Sequence, residues 1–334
     1  MRRPPTADTN MGDVARWFVA LLMLASCAAR VTWAADSYPA RPVRIVVPTG
    51  AGGVTDVVAR VIAQKLGERL GQQVIVDNRP GAGGVLGSQI VATAAPDGHT
   101  LLMVFPSHAV NPTLVMRLPY DSVKSFAPIS LTSIVAPAIV VAANSPARSV
   151  QDLITIAKEK PGTLNFGSVG SGSLAHLSGE LFRAMAGIRV TQVFYKGAPQ
   201  VVTALIGGEI QVYFAASMGS VFPHLKSGRV RVLGVATRTR MPFLPDVPPI
   251  ADTVPGYEVQ GWNGILAPAG TPRAIVDQLN REIVRIVKAP QFAEQFAPEG
   301  IVPVGNSPEQ FTQIMIADIA KWAKVIKAAG IRGE

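Results

Sequence analysis

Short apolar runs alternate with stretches of helical periodicity in the region that follows residue 37. The run Val43–Val47 is rich in β-branched residues and predicts a strand. From residue 54 to residue 70, apolar residues recur at intervals of three and four, which predicts an amphipathic helix that ends at Gly71. Strands are predicted again at 74–76 and 101–104, with a second helix between them. This order of elements is typical of a parallel sheet covered by helices.

The same alternation continues to the end of the chain. The predicted elements are short strands at 138–141, 164–166, 190–194, 212–214 and 230–236, and helices at 150–158, 174–186 and 200–206. A proline-rich stretch, 242–255, is predicted to be a surface connection. It is followed by a strand at 262–266 and by helices at about 272–288 and 308–329. Two α/β lobes are the simplest account of this pattern.

The first 35 residues have the pattern of an export signal. Arg16 precedes an apolar run, 17–25, that is too short to cross a bilayer as a helix. Thr32 and Ala34 are the small residues that a cleavage site after residue 34 requires. The segment Leu24-Ala25-Ser26-Cys27 also fits a lipoprotein cleavage box, in which case Cys27 would carry a lipid anchor. Both alternatives direct the product out of the cytoplasm.

The composition indicates a folded chain and excludes several kinds of site. Hydrophobic residues make up 48% of the chain and charged residues 16%, which argues against disorder. One cysteine rules out an internal disulfide, and the four histidines form no H-E-x-x-H motif. The net charge of +9 comes from lysines and arginines spread along the chain, without a nucleic-acid-binding motif. We therefore expect no metal, no cofactor and no nucleic-acid partner.

Glycine-rich loops between a strand and a helix recur, and two of them are candidate anion sites. The loops 50–53 and 167–172 would each present backbone N–H groups at the start of a helix. The first loop is not followed by Gly-Lys-Ser/Thr, so a nucleoside triphosphate site is not expected. The motif 81–87 resembles a dinucleotide fingerprint, but Leu86 stands where the third glycine belongs. The second loop lacks Gly-x-Ser-x-Gly, so no catalytic nucleophile is expected.

Several motifs resemble those of the Bug, or TctC-type, solute-binding receptors of tripartite tricarboxylate transporters. They are the segments 38–48, 52–56 (Gly-Gly-Val-Thr-Asp), 77–84 (Asp-Asn-Arg-Pro-Gly-Ala-Gly-Gly), 95–102, 118–121, 195–197, 244–248, 266–272 and 321–322. The motif Asn-Arg-Pro-Gly-Ala-Gly-Gly is specific in this context. The resemblance extends over residues 38 to 334.

This resemblance implies an α/β, two-lobed type II periplasmic binding fold, or Venus flytrap, in which each lobe is a mostly parallel sheet flanked by helices. Lobe 1 would hold residues 36–136 and 262–334, and lobe 2 residues 137–261. In the family, the loop after the first strand and the glycine/serine loop of the second lobe hold the ligand. The matching positions here are Thr49 to Asp56 and Ser168 to Ser173, and Ser107 also matches a cleft position.

Within these loops, the residues themselves suggest roles. The N–H groups of Gly52 and Gly53 and the hydroxyl of Thr55 would hold one carboxylate, while Asp56 would orient the loop. At the far end, the ligand would meet the loop formed by Ser168, Gly170, Ser171 and Ser173.

Other candidates have two interpretations each. His176 is either a ligand donor or a capping or core histidine. Lys196 either neutralises a carboxylate or is a solvated lysine. Trp262 packs at the lobe junction or forms a slot for an aromatic ligand, and Lys321, Lys324 and Lys327 are expected on a solvated face. Relatives carry Phe-Asp where this chain has Phe214-Ala215-Ala216, which puts an amino-acid ligand in doubt.

The function expected from all of this is that of a non-catalytic receptor. It would capture a small carboxylate by closing its two lobes in the periplasm, and deliver it to the membrane permease of a tripartite tricarboxylate transporter. The chain is expected to be a monomer. Two alternatives stay open: a sensor subunit that presents its ligand to a membrane kinase, and a secreted hydrolase.

Overall fold

The computed structural model describes residues 38–170 and 172–331. The segment 1–35, with Cys27, and also Ser171 lie outside these residues. Residues 38–40 belong to an N-terminal unit of their own, and all elements below lie in the unit that begins at Arg41.

The strands form where β-branched and apolar residues cluster, and the helices where apolar residues recur every three or four positions. The strands are β1 (Val43–Val47), β2 (Val74–Asn78), β3 (Thr100–Val104), β4 (Phe126–Val135), β5 (Ala138–Ala142), β6 (Asn165–Val169), β7 (Thr191–Tyr195), β8 (Val212–Ala215), β9 (Val230–Val235), β10 (Gly261–Pro268) and β11 (Ile301–Pro303). The helices are α1 (Val54–Leu70), α2 (Val85–Ala92), α3 (Ser107–Leu114), α4 (Val150–Glu159), α5 (Leu174–Ala186), α6 (Ala198–Gly207), α7 (Phe222–Lys226), α8 (Arg273–Val287), α9 (Pro290–Phe296) and α10 (Pro308–Ala329).

Six of the strands form one sheet in the order β11-β4-β10-β3-β1-β2. Strand β1 pairs in parallel with both β2 and β3, and its centre, Ile45, lies between Val76 and Leu101. Strand β10 runs antiparallel to both β3 and β4, and β11 runs antiparallel to β4. The first four strands therefore point the same way, so the loops that follow β1 and β3 emerge at one edge of the sheet.

The second sheet has five strands in the order β7-β6-β8-β5-β9. Strand β6 is parallel to β7 and β8, while β5 runs antiparallel to β8 and β9. The chain passes from the first sheet to the second between β4 and β5, and returns between β9 and β10. The expected two-lobed α/β fold with mostly parallel sheets is confirmed, and β5, β10 and β11 are the strands that run the other way. The lobe boundaries at residues 136 and 262 stay a prediction.

The two sheets share one continuous core. Val46 and Leu102 of the first sheet belong to the same buried cluster as Ile139 and Phe214 of the second, and Trp322 on α10 is part of it. Because interiors pack as densely as crystals, this shared core holds the two sheets against each other.

Five elements were not predicted from the sequence: α3, β4, α7, α9 and β11. Helix α3 contains Pro112 and few apolar residues, and β4 contains Pro128, so neither shows a clear period. Strand β11 is only three residues long. The prediction of a surface connection at 242–255 is wrong in part, because Leu244, Ile250 and Val254 are buried there.

The glycines of the motif 81–87 are explained by packing. A Cβ on Gly87 would lie 2.8 Å from Cβ of Pro48 and 3.0 Å from the carbonyl oxygen of Arg79. Gly84 has a φ of +93°, and a Cβ there would lie 3.1 Å from the ring of Phe105. The motif therefore lets α2 approach the loops that follow β1 and β3. Among the described residues, no helix is long and apolar enough to cross a membrane.

Candidate functional site

A cleft of 190 Å³ lies between the two sheets. One wall follows β1 and β3 of the first sheet, and the other follows β6 and β8 of the second. Strands next to the passages between the sheets form its floor. The first wall is lined by Val54, Thr55, Phe105 and Pro106, and the second wall by Leu174, Ala216 and Ser217. The floor is lined by Val135, Gly261, Trp262 and Asn263. The carboxyl ends of parallel strands are the usual place for a ligand in such sheets.

The amino terminus of α1 opens into this cleft. Gly53 is the N-cap, and its extended φ of −76° needs no special backbone freedom. Since glycine has no side chain with which to cap the helix, the N–H groups of the first turn are left for a ligand. The helix dipole adds partial positive charge at the same point. This arrangement can hold a carboxylate.

Asp56, in the first turn of α1, holds the loop before the helix in place. Its Oδ2 accepts from the N–H of Gly52 and from Nε of Arg60, each at 2.9 Å, and its Oδ1 accepts from Nδ2 of Asn78 at 2.8 Å. Asn78 also donates to the carbonyl oxygen of Thr49 at 3.1 Å. Burial raises the pKa of Asp56, but the hydrogen bonds from Arg60, Gly52 and Asn78 together hold that pKa below its usual value. Both carboxylate oxygens are therefore committed to protein groups.

One expectation for this loop needs correction. The N–H of Gly52 was expected to bind the ligand, but it donates to Asp56 and is not free to do so. Gly52 lines a smaller cavity of 80 Å³ beside the cleft, together with Glu299. Thr55 lines the cleft itself.

Two buried hydroxyls lie near the carboxyl ends of strands in opposite sheets. Oγ1 of Thr49 comes just after β1, and Oγ of Ser168 lies on β6. Neither has a hydrogen-bond partner within the part of the chain that the structure describes. An unpaired buried hydroxyl costs free energy, so each is suited to bind a polar partner, although neither residue is among those that line the cleft.

The second glycine-rich loop is held by the start of α5. Ser173 is the N-cap, and its Oγ accepts from the N–H of His176 at 3.2 Å. In return, Nδ1 of His176 accepts from the N–H of Gly172 at 3.0 Å. Burial lowers the pKa of His176, and the charge of Glu180 opposes that shift. The neutral ring therefore positions the loop, while the exposed Gly170 leads into it.

Two other candidates do not line the cleft. Oγ of Ser107 donates to the carbonyl oxygen of Gly83 at 2.8 Å, so it braces the loop before α2. Lys196 is exposed, and its backbone N–H donates to Oε1 of Gln200 at 3.1 Å.

Several lining residues were missed by sequence reasoning. Phe105 and Pro106 follow β3, Ala216 and Ser217 follow β8, and Leu174 begins α5. Their common signal is position, since each comes directly after a strand or at the start of a helix. Nothing in their residue types marks them as ligand contacts.

Trp262 packs at the passage between the sheets and also lines the cleft. Its Nε1 donates to Oδ2 of Asp318 on α10 at 2.6 Å. Burial raises the pKa of Asp318, and the hydrogen bond from Trp262 opposes the shift. Lys321 faces the same carboxylate and lies 4.9 Å from the ring centre of Trp322, where burial lowers its pKa. The prediction of a solvated face is therefore wrong for Lys321.

A larger cavity of 440 Å³ lies at the other end of α1, against α8 and α9. Its charged residues are already paired with each other or with neighbours. Lys65 pairs with Glu68, and both Arg69 and Arg285 pair with Glu282. Because it lies away from the carboxyl ends of the strands, we place the functional site in the smaller cleft. Within the described residues, no group of three or more metal-ligating side chains comes together.

Known proteins resemble this chain over most of its length. The family model described as "Tripartite tricarboxylate transporter family receptor" matches residues 58–331. A Pseudomonas sp. protein named for the tcbD–tcbE intergenic region is 39% identical over 293 residues, which cover 87% of this chain and 87% of the relative.

Two solved structures combine this likeness with a bound acid. An R. palustris protein solved with adipate is 36% identical, with a TM-score of 0.78, over 89% of this chain and 100% of its own. MatC of Rhodopseudomonas palustris, solved with bound malate, is 30% identical, with a TM-score of 0.73, over 86% of this chain and 100% of its own. The family is one of solute-binding receptors and not of enzymes. This chain, with its two sheets and its cleft at the strand ends, belongs to the TctC, or Bug, family of periplasmic receptors of tripartite tricarboxylate transporters.

Proposed function

We propose that this protein captures a small carboxylate in the cleft between its two lobes and delivers it to the membrane permease of a tripartite tricarboxylate-type transporter. The observation that carries this proposal is the start of α1, which opens into the cleft at an N-cap that has no side chain. Uncapped first-turn N–H groups and the helix dipole favour a carboxylate over a neutral or cationic group.

The remaining contacts with the ligand would come from both sheets. The hydroxyl of Thr55 and the N–H of Gly53 lie beside the helix start and would complete the first carboxylate site. On the other wall, Ser168, Ser173 and Ser217 would supply hydroxyls to the far end of the ligand. Asp56, Ser107 and His176 would position the loops, because their polar atoms are bound to protein groups. Ser171 stays a candidate on the sequence alone.

Delivery follows from closure of the lobes. A ligand that touches both walls binds the closed form better than the open one, and it shifts the balance by that difference in affinity. The closed form would then be the one that the permease recognises. The relatives with adipate and malate support a carboxylate as the cargo, and the export signal at 1–35 supports a periplasmic location.

Calorimetric titration of residues 36–334 with succinate, glutarate, adipate and benzoate tests the proposal. The protein is first unfolded and refolded so that any co-purified ligand is lost. At least one acid should bind with a dissociation constant in the micromolar range or below.

The variant Gly53→Val tests the place of binding. Its φ suits valine, and a Cβ there meets only the carbonyl oxygen of Gly50 at 3.7 Å, so the fold is retained. The added side chain should block the helix start and weaken binding at least about tenfold. Gly207→Val is the matched control, since an added Cβ at Gly207, near the carboxyl end of α6, has no atom within 4 Å. Equal affinities of the two variants would contradict the proposed site.

A further inference from the structure

We infer that the cavity of 440 Å³ between the carboxyl-terminal half of α1 and helices α8 and α9, here called the α1–α8 groove, is a second ligand site for a small monoanion with an apolar body. Its volume lies within the roughly 300–1,000 Å³ of pockets that hold small ligands. The groove shares no lining residue with the cleft. This inference therefore goes beyond the proposed function and does not depend on it.

The floor of the α1–α8 groove is apolar and held in place by packing. Val61 of α1, Ile286 of α8 and Phe292 of α9 line it. Ile286 and Phe292 are buried, and the ring of Phe292 packs against that of Phe296 with their centroids 4.7 Å apart. An apolar body on this floor would leave water for a hydrocarbon surface, which stabilises binding.

Two guanidinium groups beside this floor converge on one carboxylate. Arg69 comes from α1 and Arg285 from α8, and both pair with Glu282. Nη1 of Arg285 lies 2.9 Å from Oε1 of Glu282, whose side chain is only 17% exposed. Because a guanidinium has five N–H donors in a fixed plane, each arginine keeps donors that Glu282 does not use. The shared carboxylate thus holds two anion-binding groups at one wall of the groove.

The side-chain charges around the α1–α8 groove do not cancel. Nζ of Lys65 lies 3.1 Å from Oε2 of Glu68, so these two neutralise each other. The single charge of Glu282 offsets only one of the two arginines. Among the described residues, no further charged side chain lines the groove, so one positive charge has no side-chain counter-ion. An anionic group with one charge would supply it and accept the remaining N–H donors.

Fluorescence titration of residues 36–334 with 8-anilinonaphthalene-1-sulfonate tests the class of ligand. This compound is a monoanion on an aromatic body, and N-phenyl-1-naphthylamine is the same body without the sulfonate. The sulfonate should bind with a dissociation constant in the micromolar range, and at least about tenfold more tightly than the neutral compound. If the neutral compound binds equally well, or if neither binds, the inference is wrong.

A pair of variants at Ala289 tests the place of binding. Ala289 lines the α1–α8 groove and is the N-cap of α9. Aspartate and asparagine are both favoured at an N-cap, so both variants keep the fold. Ala289→Asp adds a negative charge and should weaken binding of the sulfonate at least about tenfold, whereas Ala289→Asn should bind it as the wild type does. Equal affinities of these variants would place the sulfonate outside the groove and overturn the inference.

A second pair separates the groove from the overall charge of the protein. Arg285→Gln and Arg281→Gln each remove one positive charge from α8, but Arg281 is exposed and does not line the groove. Only Arg285→Gln should lower the affinity for the sulfonate, by at least about tenfold. A loss of the same size in both variants would mean that net charge alone attracts the sulfonate, which contradicts a specific site.

Discussion

The backbone N–H of Gly52 donates to Oδ2 of Asp56 at 2.9 Å, and this bond ties the loop after β1 to the first turn of α1. The same carboxylate binds Arg60 and Asn78, so one buried acid joins the loop, the helix and β2. The loop that shapes the carboxylate site is thus fixed before any ligand arrives, which lowers the entropy cost of binding.

Asp56→Asn should therefore reduce both stability and affinity. An amide can accept on only one side, so at least one buried donor loses its partner, at a cost of about 1–3 kcal/mol of unfolding free energy. Ligand affinity should fall about tenfold as the loop loosens. Urea unfolding and calorimetry measure the two effects.

The matched control is Asp152→Asn. Asp152 also lies in the first turn of a helix, where it accepts from the backbone of Arg148 and Ser149, but it is half-buried and lies on α4. That variant should lose stability without losing affinity. Normal affinity in Asp56→Asn would show that the loop does not depend on this carboxylate.

Trp262 should report ligand binding by fluorescence. A chain that begins at residue 36 contains two tryptophans, of which Trp262 lines the cleft and Trp322 is fully buried on α10. Ligand should change the emission of the wild type and of Trp322→Phe. It should leave Trp262→Phe without a response, and a persisting response there would place the ligand elsewhere.

His108 should make the protein less stable in mild acid. Burial lowers the pKa of His108 to about 4, from 6.5 when unfolded, and its Nε2 lies 2.9 Å from the carbonyl oxygen of Ser122. Because the unfolded chain takes up the proton first, stability falls as pH drops from about 6.5 to about 4, by about 1.4 kcal/mol per pH unit.

His108→Gln retains a donor for Ser122 but cannot titrate, so urea unfolding between pH 6.5 and 4.5 should show a shallower slope. His224→Gln, at a more accessible site on α7, is the control and should keep the wild-type slope. If His108→Gln shows the same slope of stability against pH as the wild type, other groups cause the loss of stability in acid.

Substitution by alanine should change the free energy of unfolding in opposite directions at Gly87 and Gly207, although both residues lie in helices. Gly87→Ala forces a methyl group against Pro48 and the backbone of Arg79, and should cost about 1–3 kcal/mol. Gly207→Ala has open space and should gain about 0.5–1 kcal/mol from helix propensity. Denaturant midpoints distinguish them, and a neutral Gly87→Ala would refute the packing explanation of the motif.

The strands and helices with strong periods were predictable from sequence. The boundaries of α1 and β1 agree with the prediction because β-branched runs and helical spacing act locally. Helix α3 and strand β4 were missed because their prolines mask the local pattern and neighbouring strands decide their structure.

The site was less predictable than the fold. Glycine-rich loops pointed to the start of α1 and to α5, since a helix start is an anion site whatever surrounds it. Whether a backbone N–H is free to bind a ligand depends on the folded structure. The sequence could not reveal that the N–H of Gly52 already donates a hydrogen bond to Asp56. The apolar wall formed by Phe105, Leu174 and Ala216 has no motif and appears only once the strand ends meet.

Hydrogen–deuterium exchange with and without the tightest-binding acid tests the central claim most directly, because it locates the ligand on both walls at once. The account predicts slower exchange at 53–57 after β1 and at 172–176 and 216–218 of the second sheet, with no change at 290–296. Protection confined to one sheet, or protection at 285–296 beside the larger cavity, would contradict capture of a carboxylate between the lobes.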